Sequence, residues 1–361
     1  MVNQFSDRYL LRERKNAMDP KERFFATVER RPVDRPASWL GLPVPEACER
    51  LFAYFDVGDI DELKLKIGDD IYPVEIPYDA PDSKAIYTAL QFAKKANTPD
   101  QRTLTAPGFF EDYSDPSRVD DFDWPDPAKH IDPDRCRRAV EAAPPGHPIM
   151  GVLWSAHFQD ACSAFGMETA LVKMLTEPEM FRAVIDRITQ FYLEANEIFY
   201  SATKGKLDAI LIGNDFGSQR GLMVSPDAIR EFVMPGTRKF IEQAKSYGLK
   251  VIYHSCGSIY PVIPDLIAAG VDVIHPIQAL AKDMEPERLK RDFGDKVSFC
   301  GGVDAQWLLI NGTPKQVKDK VQELKRIFPT GLIISPSHEA ILPDVDPANI
   351  EALFEAVKEP V

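Results

Sequence analysis

Beyond about residue 200 the chain alternates short apolar runs, each ending in small or polar residues, with stretches whose apolar positions recur three and four apart. The runs LDAILIGND, LKVIYHSCG, VDVIHPIQ, KVSFCGGVD and GLIISPSHE lack the alternation of a half-solvated strand. A continuous apolar run is how a parallel strand buried on both faces reads. Between them, SPDAIREFVMPGTRKFIEQAKSYG, IYPVIPDLIAAG, EPERLKRDFG and TPKQVKDKVQELKRIFPT carry helical spacing. Upstream, RPASWLGL, DDIYPVEIP and HPIMGVLW supply three more strands, the last leading into a helical region from about Gln159 to Ala202. Three units and five make eight, which favours a closed (β/α)8 TIM barrel over an open doubly wound sheet; no G-x-G-x-x-G follows any of these strands. The predicted class is therefore α/β, a single TIM-barrel domain over 1–361. It carries an N-terminal helical extension over 1–34 and, before strand three, a Pro- and Asp-rich insertion over 79–145 that caps one end.

Composition adds exclusions. The apolar fraction of 44% is that of an ordinary globular protein with ample material for a core. A formal net charge of -13, without a basic cluster interleaved with aromatics, opposes binding to phosphate backbones, so nucleic acid is not an expected partner. The N-terminal stretch mixes acids and bases without a continuous apolar segment, which argues against a signal peptide or a membrane span and for a cytoplasmic protein. Five cysteines scattered along a long chain argue for reduced thiols rather than a disulfide framework.

A barrel of this kind carries its chemistry at the carboxyl ends of its strands. His157, His254, His275, His338, Cys256 and Cys300 all fall at or just after predicted strand ends. Residues i and i+2 of a strand project to one side, so His254 and Cys256 can approach one ion while Ser255 points away. Imidazole plus thiolate suits zinc. Taken alone, H-x-C is weak, because a packed cysteine beside a hydrogen-bonded histidine is the commoner arrangement. A third ligand would change that, and His338 after strand eight and Cys300 after strand seven are the candidates.

Other strand-end residues invite roles with bland alternatives. Asp215 in GNDFGSQRG could hydrogen-bond a substrate or a metal-bound group, or cap the following turn; Gln219 and Arg220 could hold a polar tail. Asp304 in GGVDAQ could meet a cofactor, although an aspartate before a helix is more often its N-cap. His157 opens a helix and could face the cavity, while Tyr253 and Trp307 read as packing residues.

The stretches HSCGSIYPVIPDLIAAGVDVIHPIQ, FCGGVDAQWLL and SPSHEAILPDVDPANIEAL, with RRPVDRPASW and WSAHFQDACSAFGME, resemble the uroporphyrinogen decarboxylase superfamily over nearly the whole chain. The resemblance is strongest to its methyltransferase branch, which serves corrinoid proteins. It implies a TIM barrel. The decarboxylases use an arginine-bearing segment soon after the VDR element, because guanidinium forks match the carboxylates of an acidic tetrapyrrole. Here PASWLGLPVPEACE holds no arginine. The methyltransferase branch implies zinc bound by an H-x-C pair, which His254 and Cys256 match, and a third ligand after the last strand. That third place, a cysteine in the branch, is His338 here, and the resemblance favours it over Cys300.

The expected activity is then zinc-dependent transfer of a methyl group between a small donor or acceptor (methyl ether, thiol or folate) and a corrinoid protein. No D-x-H-x-x-G element is present, so the cobalamin is expected on a separate partner. Trp39, Phe158 and Phe216 near strand ends would suit an aromatic methyl ether and hence O-demethylation. A decarboxylase of another acidic substrate and a non-catalytic barrel that binds a corrinoid partner are the competing readings, and a homodimer is compatible with either.

Overall fold

We describe a computed structural model of the chain covering residues 18–92 and 106–360. In chain order its strands are β1 (Tyr72–Glu75), β2 (Ile149–Trp154), β3 (Ala209–Gly213), β4 (Gly217–Ser218), β5 (Gly221–Leu222), β6 (Lys250–His254), β7 (Val273–Ile277), β8 (Ser298–Val303) and β9 (Leu332–Pro336). The chain divides into two compact units: Met1–Tyr72, Pro144–Pro148 and Val273–Val361 form one, Pro73–Ala143 and Ile149–Asp272 the other.

In the second unit β2 pairs parallel with β3, and β3 with β6, so that Gly213 lies opposite His254 at the ends of neighbouring strands. β3 is buried along its whole length, as its unbroken apolar run requires. The helical region after β2 is three helices, His157–Phe165, Met167–Thr176 and Pro178–Ala202, divided where Gly166 and Pro178 interrupt the helical spacing. After β5, Pro226–Ala228 leads through a π-helical turn at Ile229–Val233 into the helix Met234–Ser246. The β4–β5 hairpin was not predicted.

The segment expected as an insertion over 79–145 lies partly outside the described residues. Its described remainder holds short turns at Pro116–Asp121 and Pro127–Lys129 and the helix Pro133–Glu141. Asp115, Asp126 and Asp132 each accept from the backbone N–H two residues on, ahead of a proline whose missing N–H costs nothing at a helix start. The repeated Asp-Pro pairs are thus cap signals.

In the first unit β7, β8 and β9 pair in parallel, and RPASWLGL contributes only an isolated bridge, Ser38 to Ile334, rather than a strand. Of the expected N-terminal extension, the first 17 residues lie outside the described residues, and Pro20–Val28 is helical behind an Asp19–Glu22 capping box. RRPVDRPASW contributes Asp34 and Arg35 to an ion cluster with Arg23 and Asp70: Arg23 donates to Asp34 at 2.8 Å and to the buried Asp70 at 2.6 Å, and Arg35 donates to Asp70 at 2.7 Å. Among the described residues no helix is long and apolar enough to cross a membrane.

Candidate metal centre

Asp215, His254 and Cys256 converge in the second unit, each offering one ligand atom, all within 4.8 Å of one another. β6 ends at His254, and the chain continues so that Cys256 Sγ lies 3.5 Å from His254 Nε2. Ser255 turns away, as two-residue periodicity predicts, and its Oγ accepts from the Phe216 N–H at 3.3 Å. Asp215 comes from the loop after β3. Its Oδ1 accepts from the Cys256 N–H at 2.7 Å and stands 3.2 Å from His254 Nε2, while Oδ2 accepts from Gln159 Nε2 at 3.2 Å. The turn-cap alternative for Asp215 therefore gives way to a role across two loops.

Glycine permits that approach. A Cβ on Gly217 would lie 2.5 Å from the Cys256 carbonyl oxygen, and Gly257, at φ +77, would drive its Cβ to 2.7 Å from the Gly217 and Ser218 backbone. Only residues without a side chain let the β4 loop and the loop after β6 touch. The Ser258 N–H to Ser218 carbonyl bond, 2.8 Å, closes the contact.

Backbone strain marks the same place. Trp154 and Ser155 are consecutive non-glycine residues in the left-handed region, at φ 57 and 51, where β2 slips register against β3. The turn sets the Trp154 ring edge-on to His254, with centroids 5.4 Å apart. His254 is 5% exposed, and the Asp215 side chain keeps 34% of its surface.

Zinc bonds of about 2.05 Å to nitrogen, 2.1 Å to oxygen and 2.3 Å to sulfur can be set against these separations. The 3.2 Å and 3.5 Å separations from Nε2 are short enough for donors at such bond lengths to share one ion. The donor set, one imidazole, one thiol and one carboxylate, also fits the metal's preferences.

Several predicted site residues stand elsewhere. His157 does open a helix, but it is wholly buried and does not face a cavity: Nε2 donates to the Val233 carbonyl at 2.9 Å, and Nδ1 lies 3.2 Å from both the Ser155 carbonyl oxygen and Asn214 Nδ2. Burial lowers its pKa, keeping the ring neutral. Cys300 is sealed within β8, its thiol pKa pushed up by burial, so it is a core thiol rather than a ligand. Asp304 caps the turn after β8, accepting from the N–H groups of Gln306, Trp307 and Leu308, which leaves its carboxylate engaged. Trp39, Phe158 and Phe216 are buried to 1% exposure or less and offer no face to a ligand. Trp307, expected to pack, is 52% exposed. Gln219 and Arg220 sit exposed at the β4–β5 tip. In the first unit His338 is 40% exposed, and its Nδ1 accepts from the Ala340 N–H at 3.0 Å.

Gln159 and Trp154 were missed as site residues. Both stand in or beside WSAHFQDACSAFGME, but helical periodicity does not report which loop a polar side chain will meet. Behind the site, Asn214 links the Phe158 N–H at 2.7 Å to the Tyr253 hydroxyl at 3.3 Å. Burial raises the Tyr253 pKa to about 12.

Comparison with known proteins agrees on the family and divides on activity. The family model described as uroporphyrinogen decarboxylase (URO-D) matches residues 102–360. A methylated-thiol–coenzyme M methyltransferase of Methanosarcina mazei is 26% identical over 62% of this chain and 57% of its own length. A uroporphyrinogen decarboxylase of Chlorobium luteolum is 29% identical over 52% of this chain and 51% of its own. The chain thus spans little more than half the length of these curated relatives. A solved methyltransferase from Methanosarcina mazei superposes with a TM-score of 0.66 at 17% identity, covering 94% of this chain and 98% of that one, a likeness that shows a common fold.

Proposed function

This chain belongs to the uroporphyrinogen decarboxylase family, and on that premise we propose that it is a zinc-dependent methyltransferase. It moves a methyl group between a small donor or acceptor and a corrinoid carried by a partner protein, on the (β/α)8 barrel that the resemblance implies. The observation that carries the reading is the convergence of His254 Nε2 and Cys256 Sγ, 3.5 Å apart at the end of β6. The similarity to a methylated-thiol–coenzyme M methyltransferase supports it. So does the absence of arginine from Pro36 to Glu49, where a decarboxylase of this family needs guanidinium groups for an acidic tetrapyrrole.

His254 and Cys256 hold the ion. When bound, such an ion lowers the pKa of a thiol or polarises an ether oxygen, which suits transfer in either direction. The chain's own groups prepare the place. Asp215 accepts from the Cys256 N–H and holds its carboxylate 3.2 Å from His254 Nε2. Trp154 shields one side of the imidazole from water. Gln219 and Arg220, exposed at the hairpin tip, meet polar groups of the methyl donor or of the corrinoid partner in this reading.

Metal analysis with methyl transfer to free cobalamin tests the reading. Wild-type protein is expected to hold one zinc per chain, and Cys256→Ala to lose both metal and activity, with kcat/KM down at least about 100-fold. Full activity without bound metal would refute it. Because uroporphyrinogen decarboxylases are equally near relatives, decarboxylation of another acidic substrate is the second reading, and it predicts activity indifferent to chelators.

A further inference from the structure

The geometry points to Asp215 as itself a ligand of the metal, the third protein donor of the centre; this rests on the metal reading above and deepens it. A carboxylate near a metal-binding histidine ordinarily belongs to the outer shell, where it accepts from the ring nitrogen opposite the metal and so orients the imidazole. Asp215 is not so placed. Its Oδ1 is 3.2 Å from His254 Nε2, and Cys256 Sγ is 3.5 Å from that same nitrogen. Carboxylate, thiol and imidazole therefore crowd one point instead of flanking the ring on two sides. An ion bound at Nε2 would meet all three.

The carboxylate is also oriented as ligating carboxylates are. Gln159 Nε2 donates to Oδ2 at 3.2 Å, and the Cys256 N–H donates to Oδ1 at 2.7 Å. These bonds hold Asp215 without withdrawing it from the cluster, because each carboxylate oxygen can accept more than one partner. One imidazole nitrogen, one sulfur and one carboxylate oxygen make a three-ligand set that leaves one position exchangeable, the pattern of catalytic zinc. Asp215 comes from the loop after β3, His254 from the last position of β6 and Cys256 from the turn that follows, so the set is complete within the second unit.

Metal titration of the full chain, with cobalt(II) as a spectroscopic probe and zinc by competition with a chromophoric chelator, separates the possibilities. Asp215→Asn keeps the shape and an acceptor for the Cys256 N–H but loses the anionic donor. It is expected to weaken zinc binding by at least about 100-fold and to alter the cobalt ligand-field bands while the sulfur-to-cobalt charge-transfer band persists. Gln159→Ala, which leaves all three donors, should weaken binding by about 10-fold without changing the cobalt bands. Wild-type affinity and an unchanged cobalt spectrum in folded Asp215→Asn overturn the assignment while leaving the metal reading standing. Failure of wild-type protein to take up either metal sinks both.

Discussion

His157 and His254 show how far one residue type can diverge in role within a single unit. His254 closes β6 and His157 follows β2, yet His254 meets a thiol and a carboxylate whereas His157 is enclosed, with Nε2 against the Val233 carbonyl and Nδ1 beside the Ser155 carbonyl and the Asn214 amide. Enclosure has a pH signature. Burial depresses the folded-state pKa of His157 below its ordinary value, so as pH falls through about 6.5 the unfolded chain takes up a proton that the folded chain refuses. Its contribution is present above that pH and declines below it, by at most about 1.4 kcal/mol per pH unit. Urea unfolding at pH 7 and pH 5 should show a larger loss for wild type than for His157→Gln; equal losses would place the ring in contact with solvent.

At the scale of elements, the site is a meeting of two loops. Asp215 and Cys256 lie 41 positions apart in the chain, and they are brought together by the parallel register that sets Gly213 opposite His254. Gly257 then lets the two backbones touch. Gly257→Ala forces a side chain into the left-handed region, which costs about 1–2 kcal/mol by itself, and into contact with the Gly217 and Ser218 backbone. The expected result is a destabilisation of at least about 2 kcal/mol in chemical denaturation, with weaker metal uptake. An unchanged midpoint would mean the loops can part without cost. The strained Trp154–Ser155 turn belongs to the same scale, since it aims a ring that strand periodicity alone would have placed otherwise.

For the molecule as a whole, metal binding and folding are linked, because the donors that converge in the fold are scattered in the unfolded chain. Saturating zinc at about 100 times its dissociation constant should raise unfolding stability by about 2.7 kcal/mol. The gain should vanish with a chelator and be largely absent in His254→Ala. A thermal midpoint indifferent to zinc in wild type would argue that the cluster is a hydrogen-bonded knot and nothing more. Net charge acts at this scale too: at -13 the protein repels polyanions at long range, so a docking partner is recognised by local complementarity.

By itself the sequence determined the alternation of buried parallel strands with helices and the placing of His254 and Cys256 on one side of a strand end, because each follows from periodicity inside one element. It also singled out Asp215, though with a turn cap as an equal alternative. Only the tertiary structure decided that Asp215 and Gln159 join that pair, that His157 and Cys300 are shut into the interior, and that Asp304 is occupied as a cap. Burial and proximity depend on which element packs against which. A spacing of two or of three to four residues reports the face a side chain shares, never the neighbour that face will meet.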